Sequence, residues 1–394
     1  MLLSDQNVEA TAYSLPVGTA AAFQASASAS GAVQSLVVYL DPSSTATQLV
    51  AGVYADNGSG SPGTLLSQGT NTAPVAGAWN PVIISATSLT SGSPYWIALL
   101  GTTGGAALVG RNGSGTCVGQ TSSSNSTSTT LPSAWAGSAT TSCPLSAFAD
   151  STQVIFFDNF PAGAAPSPYW VVLDRQGDYT NDELECYLPA NVTQTSNGLV
   201  ETAEVQKYTC GDSTNSPYSH NYTSGAVGWS TLNYTYGTFE AKAEMAGGTG
   251  TWPAIWLLGY ECENGWNQNA QSNPATCNWP ATGSNEIDIV EIKAADFTHP
   301  WENVIDPAGS WITCQPTVSN VTTNFHVYDF TWSSSALTWY IDGVQTCKVT
   351  NSAYIPSTPM FLIINVAVGG GGGGTPNNST FPQSSTVQYV KVHH

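Results

Sequence analysis

Apolar residues in this chain come in short runs, and each run is stopped by a turn signal. Ser35–Leu40 (SLVVYL), Leu49–Tyr54 (LVAGVY), Val82–Ile84 and Tyr95–Leu100 (YWIALL) are examples, separated by groups such as Asp56-Asn57-Gly58 and Ser61-Pro62-Gly63. Short runs at such spacing predict β-strands in a sandwich. Composition narrows the choice further. Charged residues make up only 8% of the chain, where a soluble domain ordinarily carries roughly a quarter. Long helices draw on Glu, Lys and Arg, so an all-β fold is expected, its surface built from Ser, Thr, Asn, Gln and Gly. Apolar residues at 41% suffice for a packed core.

A length of 394 residues suggests two or three domains. We read residues 1–150 as a smaller accessory β-sandwich and 151–392 as a larger domain running from Val154 (VIFFDNF) to Val387–Val392 (VQYVKV). Residues 121–142 are Ser/Thr-rich. Alone they would be a flexible linker; if Cys117 pairs with Cys143 they become a tethered loop of the first domain. The six glycines Gly369–Gly374 are expected to form a mobile loop. Met1 precedes an ordinary polar segment and reads as an initiator added to a mature form with no signal peptide. His393 and His394 read as the start of a tag.

The formal net charge is −19, with seven Lys plus Arg. Nucleic acid is disfavoured, since phosphate neutralisation needs a basic face, and so are anionic membranes and anionic polysaccharides. A neutral sugar polymer fits. The eight cysteines, at 117, 143, 186, 210, 262, 277, 314 and 347, include no C-x-x-C pair. They read as disulfides formed in an oxidising compartment. Nearest-neighbour pairing is the simplest arrangement, zinc is not expected, and no run is long enough to span a membrane.

Chemistry concentrates in Glu286-Ile287-Asp288-Ile289-Val290-Glu291. Side chains alternate faces along a strand, so Glu286 and Asp288 share one. Glu291 would face away unless one extra residue, a β-bulge, turns it back. Two facing carboxyls about 5–5.5 Å apart suit a retaining glycosidase. A third between them raises the cost of ionising all three. An acidic surface strand is the competing reading, but three acids in six residues stand out in a chain so poor in charge.

This segment, with Tyr236–Lys242 (YGTFEAK) and Gly250–Leu258 (GTWPAIWLL) upstream, resembles glycoside hydrolase family sixteen in its laminarinase-like branch. Asn181–Tyr187 (NDELECY), Asn197-Gly198-Leu199, Phe325–Tyr328 (FHVY) and Asn365–Gly370 (NVAVGG) are similar to further family blocks, in order. The resemblance implies a β-jelly-roll catalytic domain, Glu286 as nucleophile, Glu291 as acid and then base, and Asp288 hydrogen-bonded to the nucleophile. It implies an endo-acting enzyme on β-1,3-glucan, with mixed-linkage β-1,3-1,4-glucan as a further substrate.

Trp252 and Trp256 have the same strand parity and could both face sugar, whose C–H faces stack on indole rings. Asn181, Glu183, His326, Asn365 and Trp301 are further candidate substrate-binding residues, and Trp311 a candidate subsite. In the first domain Tyr54, Trp79, Tyr95 and Trp96 could bind sugar or fill the core; for Trp96 we favour the core. Relatives often hold a structural calcium through two acids where this chain has Asn159 and Gln388, so that site is expected to be absent or weak. Lys242 stands where relatives often carry Arg, which puts a sugar contact there in doubt. No cofactor is expected, and the expected state is a secreted monomer with an acid-side pH optimum. The alternatives are a non-catalytic glucan-recognition protein, which would lack these acids, and a transglycosylase or galactan hydrolase on the same fold.

Overall fold

The computed structural model describes residues 1–101, 106–109, 117–122, 128–163, 165–177, 181–210, 218–263, 277, 279, 284–293 and 296–394. They form two compact units, Met1–Asp158 with Lys391–His394, and Asn159–Val390. The division falls after the strand Val154–Asp158, which the sequence reading assigned to the second region. The reason is packing within the first unit. Phe157 lies edge-on to Trp79 and Phe148, with ring centroids 5.6 and 5.1 Å away.

In the first unit a six-stranded sheet runs in the order 137–140, 119–122, 20–26, 94–101, 49–56, 62–71, and a three-stranded sheet in the order 147–150, 31–39, 79–89. Alternation explains its core. Ala51, Val53, Ile97 and Leu99 form one cluster with Val33, Leu36 and Val38 of the smaller sheet. Val50, Tyr54, Trp96, Ala98 and Leu100 belong to a second cluster with Leu131. These strands are apolar on both faces because the segment around Leu131 covers the second. Tyr54 donates its hydroxyl to the Pro132 carbonyl at 2.7 Å. Trp135 lies edge-on to Tyr54. Gly52 permits the approach, since a Cβ there would meet Leu131 and the Ser67 carbonyl at under 3 Å.

The described part of the Ser/Thr-rich stretch therefore belongs to the first unit and is no free linker; residues 123–127 lie outside the described residues. Tyr54, Trp79 and Trp96 are fully buried, and Tyr95 accepts the Thr90 N–H on its hydroxyl at 3.0 Å. The core reading holds for the first three, which have no ring face to offer a sugar.

The second unit is a jelly-roll sandwich. One sheet has seven strands in the order 170–172, 226–229, 360–368, 251–259, 286–291, 301–305, 311–314. The backing sheet runs 192–195, 198–203, 383–393, 237–244, 326–332, 337–341, 344–349. Tyr328, Phe330, Trp332 and Trp339 of the backing sheet are buried. Trp339 reaches across to donate to the Asp288 carbonyl at 2.9 Å, under the acid-bearing strand. Disulfides join Cys117–Cys143, Cys186–Cys210, Cys262–Cys277 and Cys314–Cys347, the nearest-neighbour pairing. The glycine run is not the irregular loop expected. Gly370–Gly373 closes a helical turn, with the Gly373 N–H on the Gly369 carbonyl at 2.8 Å.

Trp79 sits among Tyr39, Phe148 and Phe157, so Trp79→Ala leaves a large void. We expect a loss of about 3–5 kcal/mol, read as a lower urea midpoint for the first unit. An unchanged midpoint would contradict this account of its core.

Candidate active site

The strand Glu286–Glu291 lies between 251–259 and 301–305. Against 251–259 its register runs Glu286 with Leu258, Asp288 with Trp256, and then Val290 with Ile255 and Glu291 with Ala254. Ile289 is the extra residue. The same shift appears against 301–305, between Asp288 and Glu291. A bulge thus stands where the acid spacing required one, and Glu286, Asp288 and Glu291 line the same hollow. Ile287 and Val290 face the core, fully buried.

Two adjoining hollows, of about 420 and 1060 Å³, share the three acids. Trp252, Ala254 and Trp256, alternate residues of one strand, line the smaller together with Asn365 and Ala367 of the next. Trp252 donates its Nε1–H to Glu291 Oε1 at 2.7 Å. Trp256 is 6% exposed and is tied to Asn365 Oδ1 at 2.9 Å, so it forms floor more than wall. Asn365 donates in turn to the Tyr187 hydroxyl at 2.9 Å. Tyr187 and Asn181 both reach Glu183, at 3.4 Å. Asn181, Glu183, Trp252, Trp256 and Asn365 therefore converge on the acids.

Trp301 and His326 do not converge in the same way. Trp301 pairs in register with Glu291 and holds the Lys293 ammonium 4.6 Å from its ring centroid, flanking the acid. His326 lies on the backing sheet and contacts Asp342 Oδ2 through Nδ1 at 2.7 Å. Parity placed it correctly beside Tyr328 but could not say which sheet the strand joins. Lys242 shares that sheet. Trp311, 60% exposed, borders the larger hollow.

Several participants had no sequence signal. Asn303 donates to Asp288 Oδ2 at 2.8 Å and to Glu291 Oε2 at 2.6 Å, bridging two acids. Lys293 pairs with Glu291 Oε2 at 2.9 Å. Trp279 donates to Glu286 Oε2 and lies against Trp256 at 5.3 Å. Gly372 abuts Trp252, where a Cβ would come within 2.2 Å of the indole. Buried Arg175, at the rim of the smaller hollow, lies over the Tyr187 ring.

Burial pushes the Asp288 carboxyl well above its usual range, and the charges of Glu291 and Glu286 push the same way. Ionising Asp288 is therefore disfavoured while its two neighbours carry charge. Burial opposes the charge on Lys293, but Glu291 and Asp288 outweigh it, and the ammonium titrates above its usual value. Cys186, Cys210 and His220 also lie close together, yet the two sulfurs are joined as a disulfide and offer no thiolate.

A family model for glycosyl hydrolases family 16 matches residues 189–391, a span that contains all three acids. The chain belongs to this family. It is 29% identical over 239 residues to a glucan endo-1,3-beta-glucosidase A1 of Niallia circulans, covering 54% of this chain and 32% of that protein. A beta-glucanase of Rhodothermus marinus is 26% identical over 265 residues, covering 61% and 85%. The family 16 structure of LamAcat from Zobellia galactanivorans superposes with a TM-score of 0.52 at 26% identity, over 61% of this chain and 97% of that one. The laminarinase catalytic domain of Thermotoga maritima MSB8 gives 0.51 at 25%, over 61% and 98%. The chain spans from about a third to about half of the length of the first curated relatives it matches.

Two buried acids outside these hollows, Glu201 and Glu302, also hold their protons more tightly than usual. Burial pushes Glu302 up to about 7 and Glu201 well above the usual glutamate value of 4.5. Below that value folded and unfolded chains both hold these protons, and the stabilisation is complete. As pH rises the unfolded chain releases them first, so stability is lost up to and through the folded values. The melting temperature should therefore fall between about pH 4.5 and 7. Glu201→Gln and Glu302→Gln, which mimic the neutral acid, should flatten that fall at fixed ionic strength. A wild-type curve that rises across this window would refute the assignment.

Proposed function

We propose that this chain is a retaining endo-glycosidase that hydrolyses β-1,3-glucan by double displacement. The observation that carries the reading is the bulge at Ile289, which turns Glu291 to the face of Glu286 inside a hollow walled by indoles. In the first step Glu286 attacks the anomeric carbon while Glu291 protonates the leaving oxygen. In the second, Glu291 takes a proton from water, which displaces Glu286 from the sugar. Asp288 lines the same hollow as the two glutamates, where burial and their charges disfavour a third negative charge. Trp252, Trp279 and Trp311 supply ring faces for glucose units, and Asn181 and Glu183 supply hydrogen bonds at the rim.

Among the relatives are proteins named as glucan endo-1,3-beta-glucosidases, endo-1,3-1,4-beta-glycanases and a keratan-sulfate endo-1,4-beta-galactosidase. The three acids and the net charge of −19 favour a neutral polymer over a sulfated one. Asn159 and Gln388 carry no charge, a donor set that does not fit a tightly held calcium. Four disulfides support a secreted protein. Among the described residues no helix is long and apolar enough to cross a membrane. For the first unit, buried aromatics favour an accessory structural role over sugar capture.

Glu286→Gln should reduce laminarin cleavage to background while glucan binding persists. Glu291→Gln should lose about 10²–10⁴-fold on laminarin and far less on an aryl glycoside whose leaving group needs no proton. Reducing-end assays on laminarin, lichenan, agarose, carrageenan and keratan sulfate give the substrate class, and proton NMR of the first-formed anomer gives the stereochemistry. Wild-type rates in either variant, or an inverted product, would sink the reading.

A further inference from the structure

Every polar contact described for the Glu291 carboxylate is a donor. Trp252 Nε1 holds Oε1 at 2.7 Å. Asn303 Nδ2 and Lys293 Nζ hold Oε2 at 2.6 and 2.9 Å. The Glu291 side chain is 6% exposed and the Lys293 side chain 15%, so the pair is screened from bulk water. Lys293 is also fixed from its other sides. Its ammonium lies 4.6 Å from the ring centroid of Trp301 and 5.4 Å from that of Trp252. Indole faces attract cations, and this cage keeps the ammonium in place when Glu291 is neutral. The chain has only seven basic residues, and one of them is placed against the acid that must change protonation state twice per turnover.

We propose that Lys293 is a positioning residue for the second displacement, holding Glu291 as the charged base that draws a proton from water. The proposal rests on the reading of Glu291 as acid and base. The two steps make different demands on the lysine. In the first, Glu291 must carry a proton, and the ammonium favours its release to the leaving oxygen. In the glycosyl-enzyme, Glu286 is esterified and uncharged, leaving Glu291 as a largely buried anion. An unpaired buried carboxylate recovers a proton readily, and a protonated Glu291 is no base. Lys293 supplies the balancing charge. Water then attacks the anomeric carbon, its proton passes to Glu291, and the bond from that carbon to Glu286 breaks with its electron pair returning to the Glu286 carboxylate.

A kinetic split isolates the second step. On a dinitrophenyl β-glucan oligosaccharide the leaving group needs no proton, so kcat/KM reports the first step and kcat the second. Lys293→Met and Lys293→Gln should lower kcat about ten-fold, part of the 10²–10⁴-fold that a general base contributes. KM should fall in proportion and leave kcat/KM within about two-fold of wild type. Azide, a nucleophile that needs no base, should restore kcat and release a glycosyl azide. Lys293→Arg keeps the charge and should retain most of kcat. A drop in kcat/KM equal to the drop in kcat, or no azide rescue, would make Lys293 a substrate or folding contact and overturn the proposal. So would an Arg variant as slow as the Met variant. Glu291→Ala on the same substrate is the control. If azide fails to rescue that variant, the reading of Glu291 is at fault, and the role of Lys293 falls with it.

Discussion

Three carboxyl groups within six residues of a central strand are the constraint that the second unit is arranged around. Like charges this close cannot all ionise, and a buried one needs donors. The neighbouring strands answer with Asn303 between Asp288 and Glu291 and Trp252 on Glu291, and Trp279, outside the strands, donates to Glu286. Burial and the two neighbouring charges push the Asp288 carboxyl upward. Each donor comes from a different stretch of chain, so the site exists only when the sheet is assembled. The backing sheet takes part through Trp339, which fixes the backbone carbonyl of Asp288 from below, just before the bulge.

The bulge links backbone geometry to chemistry. One unpaired residue, Ile289, reverses the parity of everything after it on that strand. A straight strand would turn Glu291 to the buried face that Ile287 occupies, away from Glu286 and Asp288. The apolar pattern enforces the choice. Ile287 and Val290 must both be covered, and only an inserted residue permits that while all three acids face out.

What could be read beforehand follows from how local each signal is. Alternation is local, so the strands, the shared face of Glu286 and Asp288, and the matching parity of Trp252 and Trp256 were legible. The need for a bulge followed from the count between acids. Sheet membership is not local. His326 and Tyr328 do share a face, but their strand lies in the backing sheet and the histidine meets Asp342. Asn303 and Lys293 are single polar residues whose importance depends on strands that pair with or follow the acids. Tyr54 and Trp96 look the same in sequence whether a sheet face is open or, as here, covered by the segment around Leu131. The Gly370–Gly373 turn was missed because glycine composition speaks of backbone freedom and says nothing of a neighbour that needs the space.

That neighbour is Trp252, and the glycines beside it act through what they lack. A surface without side chains lets an indole lie flat against main chain, at a distance no other residue would allow. Gly372 is the point of the run that gives the ring this room. Drift at Gly372 would be resisted over evolutionary time even where a bulkier residue left the local backbone undisturbed, because the displaced object would be the tryptophan that holds Glu291.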